Sequence, residues 1–178
     1  MSLRQMFYIQ PMNYVYFEAA AMYVIWFLLM LFLPPKARKI TACTGVVLSL
    51  VLIFALTLIG RKSAAVPELV LIPSVFVHDF SIPNDEVPRT MFMNFLLFLP
   101  LGMSLPFALP KRIKHKALVT IVTGIVLSLT AEVIQYFFHF GRCETDDLIM
   151  NTLGAVIGTT VFLLVGLIKS KTKQNNRK

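Results

Sequence analysis

Charged residues are scarce in this chain of 178 residues, in which Asp, Glu, Lys and Arg make up 15% and hydrophobic residues 57%. A soluble domain uses about 25% charged residues, so this composition excludes an ordinary water-soluble protein. Recognisable catalytic patterns are also lacking, since the chain has neither an HExxH spacing nor a serine or cysteine nucleophile signature. We therefore expect no metal centre and no cofactor.

Five apolar segments are long enough to cross a bilayer, because a helix needs roughly 20 residues to span a hydrocarbon core of about 30 Å. No water satisfies backbone groups in that core, and the segments lack the alternating pattern of a barrel strand. The sequence therefore predicts an all-α, polytopic transmembrane bundle of about five helices, forming one domain over residues 1–178. The predicted spans are 13–33, 40–60, 90–109, 117–139 and 148–168.

Basic residues are concentrated after the first, third and fifth predicted spans. These segments contain three, four and five Lys and Arg residues, which is 12 of the 17 in the chain, and no acid lies among them. Because basic loops are retained in the cytosol, we expect a multi-pass protein with its N-terminus outside and its C-terminus in the cytoplasm. The net charge of +8 then reflects membrane topology, and we expect no nucleic-acid partner.

The same topology separates the two cysteines. Cys43 is predicted near the cytoplasmic end of the second span and Cys143 in an outer loop. A disulfide joins atoms only a few ångströms apart, so we expect two unpaired thiols. The first span should be retained rather than cleaved as a signal peptide, because Glu18 interrupts its apolar run.

The connection at residues 61–88 contains four prolines and an apolar stretch, 69–77, about half as long as a span. Two interpretations remain open. The segment is either an outer interfacial or re-entrant loop that covers the bundle, or an ordinary surface loop.

Polar and small residues recur every three or four positions on one face of the fourth and fifth spans. Such a face is excluded from lipid and predicts close contact between helices. The fourth span contributes Gly124, Ser128, Glu132, Gln135 and His139, and the fifth contributes Asp147, Asn151, Gly154 and Gly158. The third span adds Asn94, Pro100 and Gly102.

We predict an outward-facing ligand-binding or functional cluster formed by Asn94, Glu132, Gln135, Arg142, Asp146, Asp147 and Asn151. An ionisable residue within a span is costly and marks a functional site by default, with Arg142 as the expected counter-ion. The alternatives are that Glu132 is a neutral packing residue and that Asp146 and Asp147 stabilise a helix N-terminus. The residues predicted to serve helix packing are Pro100, Gly102, Gly124, Ser128, Gly154 and Gly158.

An ordered set of motifs resembles the VanZ-like family of bacterial integral membrane proteins. The set runs from Asn94 through Pro100-Leu101-Gly102 to Glu132-x-x-Gln135, and then from Arg142 through Asp146-Asp147 to Asn151-x-x-Gly154-x-x-x-Gly158. The resemblance covers about residues 91–166. Leu71-Ile72-Pro73 resembles a further family element, although Val70 and Ser74 depart from it.

The resemblance implies a protein of the bacterial cytoplasmic membrane, in a family named for an accessory gene of glycopeptide resistance that lowers susceptibility to teicoplanin. It implies no catalytic residue. The expected partner is a membrane lipid or lipid-linked envelope molecule, or a lipoglycopeptide. The alternative is a membrane-embedded enzyme that acts on a lipid head group or cell-wall precursor, using Glu132 with His139 or the two aspartates. A transporter is disfavoured because the inner helix halves have few polar side chains. The sequence does not indicate the oligomeric state.

Overall fold

The structure, a computed structural model, describes residues 12–58, 68–73, 86–139 and 142–176, and these form five helices and two short strands. In chain order they are α1 (Met12–Phe32), α2 (Pro35–Leu58), β1 (Glu68–Val70), α3 (Glu86–Ala108), α4 (Lys116–Phe137), β2 (Arg142–Glu144) and α5 (Thr145–Asn175). The predicted all-α bundle of about five helices is confirmed.

The predicted spans agree with the helices to within a few residues, except in two places. Helix α2 begins at Pro35, ahead of the predicted residue 40, because proline suits the first position of a helix. Helix α5 continues to Asn175, past the predicted end at residue 168. Hydropathy locates the end of the apolar run, but the basic tail has neither proline nor glycine to stop the helix.

Four helices, α2 to α5, are long and apolar enough to cross a membrane, and the chain is therefore a multi-pass membrane protein. The apolar part of α1 is shorter and covers Phe17–Phe32. That α1 also spans the membrane stays a prediction.

Helix α3 lies at the centre of the bundle and contacts each of the other four helices. Helix α3 approaches α5 closely because two glycines of α5 face α3. A Cβ at Gly154 would overlap the Phe95 carbonyl oxygen, and one at Gly158 would lie 2.9 Å from the Gly102 Cα. Gly124 of α4 lies against α5 in the same way, with its Cβ position 2.7 Å from the Ala155 Cβ.

Strands β1 and β2 pair in parallel, with Leu69 opposite Cys143. The Thr145 hydroxyl supports the pairing, because its single proton is shared between the carbonyls of Val70 (3.3 Å) and Leu71 (3.1 Å). Cys143 lies between α4 and α5, as predicted, and within that connection it belongs to strand β2, which the sequence did not predict. Residues 59–67 and 74–85 lie outside the described residues, so both interpretations of the 61–88 connection stay predictions.

The bundle has two chemically different ends. We call the end with β1, β2 and the start of α5 the strand end. The opposite end, which we call the basic end, contains the start of α2, the loop between α3 and α4 and the last turns of α5. Cys43 lies towards the basic end and Cys143 at the strand end, and both are free thiols, as predicted.

Candidate functional site

Helix α3 and helix α5 are joined near the strand end by a buried polar contact. The Asn94 amide nitrogen donates a hydrogen bond to a carboxylate oxygen of Asp147. Asp147 and the buried Asp146 lie in the first turn of α5, where the helix dipole favours negative charge. Asp147 therefore both stabilises the start of α5 and fixes it against α3.

Glu132 connects helix α4 to strand β2. Its side chain is 3% exposed, and its carboxylate accepts a hydrogen bond of 3.0 Å from the backbone N–H of Glu144. Burial raises the pKa of the Cys143 thiol, and the neighbouring Glu132 carboxylate raises that pKa further. A thiol with a raised pKa stays protonated at neutral pH and can donate a hydrogen bond to Glu132.

Two buried amides form further polar contacts between the helices. Gln135 donates from its amide nitrogen to the Thr57 carbonyl, 3.1 Å away, and so ties α4 to the end of α2. Asn151 donates to the Ser128 hydroxyl at 2.9 Å, which links α5 to α4. Its amide oxygen is buried and finds no hydrogen-bond partner among the described residues.

The structure thus brings Asn94 next to Asp147 and Asn151 next to Ser128, while Glu132 and Gln135 contact backbone groups. The predicted role of Arg142 as counter-ion stays a prediction, because its side chain lies outside the described residues. The partners that sequence reasoning missed are the Glu144 N–H and the Thr57 carbonyl. Backbone groups leave no side-chain signal in a sequence.

His139 does not continue the polar face of α4, contrary to the prediction from its spacing. The helix ends at Phe137, and His139 is exposed with a left-handed φ of 56°. Its N–H bonds to the Tyr136 carbonyl three residues back, which marks a tighter turn than the helix. Helical spacing therefore no longer applies at this residue.

A separate groove lies between α1, α2 and α3. Its volume is about 230 Å³, and Met93, the chain neighbour of Asn94, is part of its wall. The rest of the wall is apolar apart from one carboxylate, with Glu18, Leu52, Leu56, Leu96 and Leu97 among its residues. Pro100, predicted to serve packing, also lines this groove. Among the described residues, no three His, Cys, Asp or Glu side chains are placed to hold a metal ion.

Comparison with known proteins agrees with these features. A family model described as VanZ/LLP1 matches residues 19–166. Protein VanZ from Enterococcus faecium is 35% identical over 74 residues, an alignment that covers 42% of this chain and 44% of that protein. The alignment thus spans less than half the length of this curated relative. No solved structure gives a significant match. Because the family model covers most of the chain, this protein belongs to the VanZ/LLP1 family.

Proposed function

We propose that this protein lowers the susceptibility of a bacterial cell to teicoplanin by engaging a lipid-bearing molecule at the outer leaflet. Membership of the family supports the link to glycopeptide resistance. One structural observation supports the mode of action, namely that a buried acid and amide cluster and an apolar groove lie towards the same end of the bundle, where Met93 of the groove precedes Asn94 of the cluster in the chain.

The two parts of this region suit the two parts of an amphiphile. Carboxylate and amide groups hydrogen-bond to hydroxyls and amines of a polar head. The groove, about 230 Å³, is smaller than the roughly 300–1,000 Å³ of pockets that enclose a drug-sized ligand. It therefore suits a segment of an acyl chain, with the head remaining outside the groove.

Glu18 gives the groove a polar contact of its own. Its side chain is exposed, and it lines the groove together with Met93 and Leu97 of α3. A carboxylate at this position can accept hydrogen bonds from a head group whose chain lies against the leucines. Glu18 is therefore part of the proposed binding region, although no spacing in the sequence links it to the other acids.

The proposal requires the strand end to face the outside of the cell. The expected result is that alkaline phosphatase is active when fused after His139, at the strand end, and inactive when fused after Lys178. The physical reason is the retention of the basic segments in the cytosol. Green fluorescent protein fused at the same two positions should give the reverse pattern. Active phosphatase after Lys178 would contradict the orientation.

Drug tolerance tests the function itself. Expression in a sensitive Gram-positive host should raise tolerance to teicoplanin, which carries an acyl chain, more than tolerance to vancomycin, which does not. The measurement is the minimum inhibitory concentration of each drug with and without expression. Equal protection against both drugs would reject recognition of a lipid chain.

A further inference from the structure

A second groove lies at the basic end, on the side of the bundle formed by the start of α2 and the loop between α3 and α4. Its volume is about 610 Å³, and three exposed lysines line it: Lys36 and Lys39 from the first turns of α2, and Lys111 from the loop. The start of α2 and a loop that is distant from it in sequence thus place three positive charges around one groove.

The described residues at this end of the bundle include no negative charge to offset the lysines. The stretches 33–46, 109–116 and 166–176, which form this end of the bundle, contain no Asp or Glu. The start of a helix also carries a partial positive charge, and the first turn of α2 has no acidic residue to balance it. The three lysine side chains and the start of α2 therefore repel one another, and an anion in the groove would reduce this repulsion.

Neighbouring cations are occupied by contacts within the chain, whereas these lysines are not. Arg38 donates to the Leu33 carbonyl at 2.6 Å, and Lys116 donates to the Leu109 carbonyl at 2.6 Å. Lys36, Lys39 and Lys111 form no hydrogen bond or ion pair with any of the described residues. Their ammonium groups are therefore available to a ligand.

The floor of the groove is apolar and continues along α2. Ile40 lines the groove and is 68% exposed, and Val47 and Val51 follow on the same face of the helix with 60% and 58% exposure. A ligand that combines an anionic head with an acyl chain matches both the lysines and this stripe. A soluble anion would use the lysines alone.

We propose that this groove binds an anionic phospholipid, with the phosphate held by Lys36, Lys39 and Lys111 and an acyl chain along Ile40, Val47 and Val51. The site is at the opposite end of the bundle from the groove of the proposed function and does not depend on it. Basic pockets between membrane helices bind anionic head groups in this manner.

Another groove at the same end provides an internal comparison. It lies against the last turns of α5 and is lined by Lys169 and Lys173, with a volume of about 630 Å³. The C-terminal end of a helix carries a partial negative charge, which disfavours an anion there. Two grooves of similar size and both with lysines are thus expected to differ in lipid binding.

The test uses the full chain purified in a neutral detergent, with fluorescent phosphatidylglycerol as the probe and fluorescent phosphatidylcholine as its zwitterionic counterpart. Phosphatidylglycerol should bind one-to-one and more tightly than phosphatidylcholine. The combined K36A, K39A and K111A variant should lose affinity for it on the order of 100-fold, at about fivefold for each lysine. The combined K36R, K39R and K111R variant keeps the charges and should retain binding.

The matched control is the combined K169A, K171A and K173A variant, which removes the same charge from α5 and should lose less than about threefold. Equal losses in both alanine variants would mean diffuse attraction and would overturn the proposal, as would equal binding of the two lipids. Displacement of the lipid by inorganic phosphate at the same concentration would assign the lysines to a soluble anion instead. Loss of binding in the arginine variant, with an unchanged helical circular dichroism spectrum, would also contradict the charge mechanism.

Discussion

Replacing Glu132 by Gln is expected to abolish teicoplanin tolerance while leaving the protein in the membrane. The side chain is 3% exposed and accepts the Glu144 N–H, and glutamine keeps both its size and an acceptor oxygen. The substitution therefore removes the ionisable group and leaves the packing of α4 on β2 intact. The measurements are the minimum inhibitory concentration of teicoplanin and the amount of protein in the membrane fraction.

The matched control is Thr130→Val on the same helix. Thr130 is exposed, and its hydroxyl bonds back to the Val126 carbonyl at 2.7 Å, so this variant should protect like the wild type. Full tolerance in Glu132→Gln would remove Glu132 from the proposed site. Turnover of a labelled lipid precursor by the purified wild type, lost in Glu132→Gln, would favour the enzyme alternative over binding.

Substitution of Gly154 by Ala should cause a large loss of stability for the addition of a single methyl group. The new Cβ would overlap the Phe95 carbonyl oxygen and lie 3.2 Å from the Leu99 nitrogen. Both are backbone atoms of α3, which cannot rotate aside as a side chain does. The cost should reach the upper end of the ~1–3 kcal/mol that overpacking causes, measured by thermal unfolding in detergent.

Gly166→Ala provides the comparison, because a Cβ at Gly166 meets no atom within 4 Å. Alanine favours a helix over glycine by about 0.8–1 kcal/mol, so this variant should unfold at the same temperature as the wild type or higher. An equal decrease in both variants would show that the loss does not come from contact with α3.

Much of the fold is predictable from the sequence because the bilayer restricts the choices. Long apolar runs identify the helices, and proline accounts for the early start of α2 at Pro35. The pairing of β1 with β2 cannot be predicted in this way, because strands of three residues are too short to show an alternating pattern. Their contact depends on the position of α5, which the glycines on α3 and α5 determine.

The candidate site was predictable to the extent that it consists of side chains on helices. Helical spacing selected Glu132 and Gln135 of α4 and Asn151 of α5, and all three are buried. Their hydrogen-bond partners are harder to predict from the sequence. The Asn94 contact with Asp147 requires knowledge of how closely α3 approaches α5, and the groove beside Glu18 exists only once three helices are packed.

Filling the groove between α1, α2 and α3 tests most directly whether this groove receives a lipid chain. Leu56 lines the groove, whereas Leu48 lies two turns earlier on α2 and is 57% exposed. The measurement is teicoplanin tolerance in cells expressing Leu56→Trp or Leu48→Trp at equal membrane levels. We predict that Leu56→Trp loses the protection and that Leu48→Trp keeps it. Full protection by Leu56→Trp would contradict the binding of a lipid chain in this groove.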